Sequence, residues 1–152
     1  MQTQRTARKC GATLSRVLTT GQALMSATCR NLLEFFPEVE IHTLDGLTEA
    51  SVGVSHHMVT ASTVLEGAVV PIGKVLEYVE CLVCDPSRYE DKQIEACLLT
   101  QWKPGEEGEL FIGGNCLAKR YIDKPERTSD AFFNCPGMSK RAEGSASPFA
   151  LY

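Results

Sequence analysis

The spacing of apolar residues changes several times along the chain, and each change predicts a new element. Residues 14–20 (LSRVLTT) read as a short strand that ends at Gly21. Beyond it Met25, Cys29, Leu32, Leu33 and Phe36 recur on one face of a helix, which Pro37 stops. Residues 39–44 are extended, with Val39 and Ile41 facing one way, and run into Gly46. Residues 52–59 are β-prone, and 75–84 (VLEYVECLVC) predict one buried strand rich in β-formers. A polar loop covers 85–95, and 96–102 return as a strand. The turn chemistry of 104–108 (PGEEG) launches a strand over 109–112 that ends at Gly113-Gly114. Thr128 or Ser129 caps a short helix into Ala131-Phe132-Phe133. Residues 134–152 are small, polar, rich in Gly, Ser and Pro, and lack a period. The expected fold class is therefore mixed α/β and strand-rich, with an N-terminal extension over 1–13, a body over 14–133 and a disordered, flexible tail over 134–152.

Composition narrows the function classes without naming one. At 152 residues, 43% hydrophobic and 22% charged, the chain is long enough for one packed body and too apolar for a disordered segment. Its net charge of −4 argues against a nucleic-acid partner. The longest stretch free of formal charge, 50–65, is too short for a membrane span and contains His56 and His57. The 7 cysteines are an odd number and follow no hydrophobic leader, which predicts reduced thiols and a cytoplasmic setting. Residues 1–33 carry Arg5, Arg8, Lys9, Arg16 and Arg30 and no acid, but patterned structure from Leu14 onward outweighs a transit-peptide reading.

Several chemical candidates reduce to ordinary structure. Cys81 and Cys84 are three apart on a predicted strand, so their thiols point to opposite faces and no second such pair completes a metal site. His56 and His57 alternate across a strand, which predicts one buried and one solvated ring. Gly113-Gly114 lacks the βαβ unit of a dinucleotide fingerprint. The basic residues Lys119, Arg120, Lys124 and Arg127 interleave with Asp123, Glu126 and Asp130 as a solvated face does.

Two segments remain. In 41–51 (IHTLDGLTEAS) a strand leads into a Gly-x-Thr-Glu turn. Gly46 permits close backbone approach to a base or phosphate, the Thr48 hydroxyl can donate to a phosphate oxygen, and Glu49 offers a hard carboxylate to Mg2+. Taken alone, the tetrapeptide favours a plain turn whose Thr48 and Glu49 cap whatever follows. The longer segment, 108–133 (GELFIGGNCLAKRYIDKPERTSDAFF), is far more specific.

In this order the two segments resemble the adenylate-forming, AMP-binding superfamily, and within it the adenylation domains of nonribosomal peptide synthetases. Residues 108–133 are similar to that family's Gly-Glu-Leu-x-Ile-x-Gly-x-x-Leu-Ala-x-Gly-Tyr motif and its Pro-Glu-x-Thr continuation. Residues 43–49 are similar to its Asn-x-Tyr-Gly-Pro-Thr-Glu motif. Residues 16–24, 35–42 and 71–85 resemble the segments that flank these motifs. The resemblance spans 14–133 and makes the chain an internal fragment of an N-terminal lobe.

The resemblance implies an ATP-dependent ligase. A carboxylic or amino acid becomes an acyl-adenylate, and its acyl group then moves to a phosphopantetheine thiol on a carrier-protein domain. Residue by residue, it assigns Asp45, Gly46, Leu47, Thr48 and Glu49 to the nucleotide. Thr48 would lie at the phosphates and Glu49 at Mg2+. Leu18, Thr20, Leu44, Val52 and Gly53 fall where such domains line the acyl side-chain pocket, and their small or apolar character implies an uncharged acid.

The departures are equally specific. Asp45 stands where the family stacks a tyrosine on adenine, Leu47 replaces a proline, Thr43 an asparagine and Arg120 a glycine. No Pro-Lys-Gly phosphate loop, no Thr-Gly-Asp ribose motif and no late adenylation lysine occurs, so no residue here is assigned a catalytic role. The expectation is a fragment inactive by itself. The rivals are a non-catalytic remnant or interaction module that binds no nucleotide, and a coenzyme-A ligase relative.

Overall fold

The computed structural model describes residues 14–51, 53–63, 65–85, 105–134 and 148–151. The chain divides into two compact units, the first formed by Met1–Gly46 with Ser55–Lys74 and the second by Leu47–Val54 with Val75–Tyr152.

In the first unit β1 (Arg16–Thr19) lies parallel to β2 (Glu40–Asp45), joined through helix α1 (Ser26–Phe35). β3 (Ser55–Val59) runs antiparallel to β2, pairing Ile41 with Val59 and Asp45 with Ser55. β4 (Lys74–Val75) completes the sheet order β1-β2-β3-β4. Strand alternation sends Ile41 and Val59 to one face, where they are buried with Cys29, Val39 and Val70. Leu32, Leu33 and Phe36 of the predicted helix face pack against that cluster. Met25, predicted on the same face, instead precedes the helix, bridges to Val69 and stays 45% exposed. The backbone decides this: Ser26 N–H donates to the Ala68 carbonyl at 2.9 Å and Val70 N–H to that of Leu24 at 2.8 Å.

The opposite face of this sheet carries a polar chain. Arg16 Nε donates to Glu40 Oε2 at 2.8 Å, and His42 Nε2 lies 3.3 Å from the same oxygen. His42 Nδ1 in turn meets His56 Nε2 at 2.9 Å, with the two rings stacked 5.2 Å apart. The Arg16 guanidinium, followed by His42, holds the Glu40 carboxyl below the usual range. His56 and His57 are both half-buried rather than one in and one out. Strand alternation separates them, but His56 is covered on its own face by His42.

In the second unit β5 (Val79–Cys84) and β6 (Glu109–Gly114) pair antiparallel in full register, from Val79 opposite Gly114 to Cys84 opposite Glu109. β7 (Phe132–Asn134) and β8 (Pro148–Leu151) extend the sheet in the order β5-β6-β8-β7. Ala50, Val54, Val79, Ile112 and Cys116 form the buried cluster, with Leu47, Leu76, Cys81, Leu110 and Leu117 against it.

Two sequence expectations change here. The strand predicted over 75–84 is broken at residues 76–78, because Leu76 N–H is drawn to the Val54 carbonyl and Val79 N–H closes a turn on Leu76, both at 3.0 Å. Helix α2 (Pro125–Ala131) starts with Pro125 after Lys124, not at Thr128 or Ser129, and Phe132-Phe133 leave it as strand. Proline's fixed φ suits the first helical position, and Thr128 Oγ1 donates to the Lys124 carbonyl at 2.8 Å from inside the helix. Within 134–152, residues 148–151 pair with β6 and β7. The strand expected at 96–102 and most of the loop before it lie outside the described residues.

Among the described residues no helix is long and apolar enough to cross a membrane.

Candidate functional site

The second unit contains residues 47–51 of the shorter segment singled out in the sequence together with the long string 108–133. The turn Thr48–Ala50 is a single 3-10 turn preceded by Leu47, whose side chain packs on the buried cluster. Ala50 is fully buried, which fixes the far end of the turn. Thr48, between two anchored apolar residues, is exposed. Glu49 is half-buried and is held from two sides. Its backbone carbonyl accepts Ala118 N–H at 2.6 Å, and its Oε1 accepts the Tyr121 hydroxyl.

Ser51 follows at φ 65°, a conformation that disfavours residues other than glycine. Its Oγ donates to the Cys116 carbonyl at 3.0 Å and holds the chain there. Gly53 presents its carbonyl to the Tyr78 hydroxyl at 2.9 Å. Tyr121 is itself fixed. Its N–H donates to Thr128 Oγ1 at 3.0 Å, the Arg127 guanidinium carbon lies 4.8 Å from its ring centroid, and Phe132 meets it edge-on at 5.7 Å.

The remaining described residues lie in the first unit. Asp45, the last residue of β2, and Gly46 are half-buried. Leu18 pairs with His42 in register and Leu44 with His56, so Leu18 and Leu44 share the face that carries the histidine pair. Leu18 is 64% exposed and Leu44 half-buried, while Thr20 is exposed just beyond β1. Val52 lies outside the described residues.

Chemically, the turn offers a hydroxyl and one carboxylate. Among the described residues no group of three His, Cys, Asp or Glu side chains converges as a metal cage. A lone carboxylate with one oxygen already bonded to a phenol fits Mg2+ only as an ion shared with substrate phosphates, which is its usual mode at nucleotides. Glu49 fits such an ion. The sequence reading missed Tyr121 as its partner. The signal was present, since Tyr121 closes the quoted Leu-Ala-Lys-Arg-Tyr stretch, but nothing local connects it to a residue 72 positions away.

Among the described residues, Cys29, Cys81 and Cys116 are free thiols. Burial, and then the neighbouring Cys116, push the Cys81 thiol up to about 11, and burial also raises Cys29 and Cys116. A raised thiol pKa means the folded state favours the protonated form. The associated stability is intact below the ordinary thiol value of 9 and declines as pH climbs toward 11. Iodoacetamide at pH 7.5 (roughly physiological, far below that titration) is expected to leave Cys81 unmodified until the chain is denatured. Peptide mass spectrometry with and without urea reads this directly, and rapid native labelling of Cys81 would refute the burial.

Residues 1–122 match the family described as AMP-binding enzyme. The D-alanine--D-alanyl carrier protein ligase of Lacticaseibacillus casei (strain BL23) is 32% identical over 121 residues, covering 80% of this chain and 22% of the relative. The ligase of the same description from Streptococcus equi subsp. equi (strain 4047) is 29% identical over 129 residues, covering 85% and 23%. The chain therefore spans under a quarter of the length of these relatives. Among solved structures, PA1221, an NRPS protein containing adenylation and PCP domains, superposes with TM-score 0.70 at 25% identity, covering 98% of this chain and 27% of that one. The Vibrio cholerae adenylation domain AlmE, in complex with glycyl-adenosine-5'-phosphate, superposes with TM-score 0.66 at 24% identity, covering 91% and 23%. The mixed α/β, strand-rich fold is thus that of a part of an adenylation domain.

Proposed function

This chain belongs to the AMP-binding enzyme family, and from that membership we propose that the polypeptide carrying it activates a carboxylic or amino acid with ATP. The acid's carboxylate oxygen attacks the α-phosphorus, the bond to the β-phosphate breaks, and pyrophosphate leaves. A phosphopantetheine thiol on a carrier-protein domain then takes the acyl group and releases AMP. The printed descriptions of the relatives support this reading, because they name a carrier-protein ligase and a protein joining adenylation and PCP domains.

One observation carries the reading. The turn with the exposed Thr48 hydroxyl and the tethered Glu49 carboxylate is gripped by the same long motif that marks the family. Thr48 is the residue for phosphate contact and Glu49 the residue for Mg2+, an ion that would offset charge on the phosphates. Asp45, Gly46 and the Leu47 backbone would border the adenine. The Leu47 side chain is committed to the apolar cluster. Leu18, Thr20, Leu44, Val52 and Gly53 would border the acid side chain, which favours an uncharged one. Free thiols suit a cytoplasmic location.

A second reading rests on Asp45. A carboxylate supplies no ring for adenine and stands close in sequence to where polyanionic ATP would bind, which favours a remnant that binds no nucleotide. An antibody raised against residues 85–95 separates the two readings by capturing the native polypeptide for mass measurement and acid-dependent ATP–pyrophosphate exchange. The ligase reading expects a band well above 16.6 kDa and exchange driven by an uncharged acid. Glu49→Ala should lower that exchange about 100-fold. A band at 16.6 kDa that binds no magnesium-ATP establishes the remnant.

A further inference from the structure

We propose that Tyr121 is a positioning residue for the Glu49 carboxylate, holding Oε1 so that Oε2 is the oxygen presented to a divalent cation. This rests on Glu49 being the metal-binding residue of the proposed function. A glutamate within a turn is mobile when nothing holds its carboxylate. Its side chain rotates among several rotamers, and only some of them aim an oxygen outward, so a cation binds a minority of the population. A hydrogen bond to one carboxylate oxygen removes that freedom while leaving the other oxygen to coordinate.

The donor must itself be immobile for this to work, and Tyr121 is. Its hydroxyl donates to Glu49 Oε1 across 72 residues of sequence. Its ring is bracketed by the Arg127 guanidinium, 4.8 Å from the centroid, and by the edge-on Phe132 at 5.7 Å. Its backbone is tied to Thr128 Oγ1 at 3.0 Å, and Thr128 Oγ1 donates to the Lys124 carbonyl at 2.8 Å. The turn is held on its other sides by Ala118 N–H on the Glu49 carbonyl and by Ser51 Oγ on the Cys116 carbonyl. These two bonds therefore place the turn, and the phenol has one remaining task, to orient the carboxylate.

That division predicts what loss of the hydroxyl alone does. Tyr121→Phe keeps the ring, its contact with Arg127 and its packing on Phe132, and removes only the donor. In the native polypeptide carrying this chain, titration of Mn2+ against ATP followed by electron paramagnetic resonance reads metal affinity without reference to turnover. Tyr121→Phe is expected to weaken Mn2+ binding about ten-fold. The rate of pyrophosphate exchange at saturating Mn2+ should stay within about two-fold, a split between affinity and saturated rate. A merely structural role would instead lower the melting temperature and the saturated rate with the metal affinity unchanged, and that result overturns the proposal.

Glu49→Gln separates the two levels. If it weakens Mn2+ binding and Tyr121→Phe does not, the positioning role fails while the proposed function stands. If Mn2+ binding is absent, or Glu49→Gln leaves it untouched, the metal reading of Glu49 fails and the positioning role falls with it. Should Tyr121→Phe not fold, Thr128→Val, which removes the acceptor for Tyr121 N–H and leaves the hydroxyl in place, serves instead. It is expected to give a smaller loss of Mn2+ affinity in the same direction, and an unchanged affinity counts against the proposal.

Discussion

Gly73→Ala is expected to destabilise the first unit by more than about 4 kcal/mol, enough to abolish its cooperative melt at ordinary temperatures. Gly73 has φ +87°, and a Cβ built there would lie 2.1 Å from the His56 carbonyl oxygen and 2.7 Å from the His57 Cβ. The obstructing oxygen is backbone of β3, locked in the pairing with β2, so it cannot swing aside as the end of a flexible side chain would. Gly21→Ala is the matched control. Its φ is +93°, yet nothing lies within 4 Å of the built Cβ, so only the left-handed strain of about 1–2 kcal/mol applies. Thermal unfolding of the two variants side by side separates collision from conformation. Equal losses would mean that β3 gives way and the close approach is not needed.

Ile112→Ala is expected to cost the second unit about 2–5 kcal/mol, and Ile112→Val about 0.5–1.5 kcal/mol. Ile112 is 0% exposed in the middle of β6 and belongs to the buried cluster with Ala50, Val54, Val79 and Cys116, with Leu47 packed against it. Leu47 and Ala50 are the two apolar anchors on either side of Thr48 and Glu49. A cavity at Ile112 therefore loosens the support of the candidate site as well as the sheet. Urea titration should show a lower midpoint with unchanged slope, and the Mn2+ affinity of the native polypeptide should fall with it. Stability loss without any change in metal affinity would mean that the hydrogen bonds to residues 116 and 118 suffice to hold the turn.

Most of the strands were legible because their signal is local. β1, β2, β3, β5 and β6 each coincide with a run of β-formers or an alternating pattern bounded by glycine, proline or polar residues. Helix α1 was legible for the same reason, since Cys29, Leu32, Leu33 and Phe36 repeat at helical spacing and all meet the core. The broken strand falls where a partner distant in sequence overrides that signal, whereas the start of helix α2 was misplaced by a local one, Pro125 at its first position. Residues 76–78 have the composition of a strand and form a turn because the Val54 carbonyl takes the Leu76 amide.

The candidate site divides in the same way. The residue types at 45–49 and the long string at 108–133 are properties of the sequence by itself, and they were sufficient to determine the family, because a motif is read from order and spacing alone. The bond from Tyr121 to Glu49, the strained Ser51 tied to Cys116, and the burial of Leu47 were decided only by tertiary structure. Each joins residues at least 65 positions apart or depends on a core assembled from several strands. Periodicity and propensity act over a few residues, whereas the orientation of one carboxylate depends on which hydroxyl the fold brings beside it.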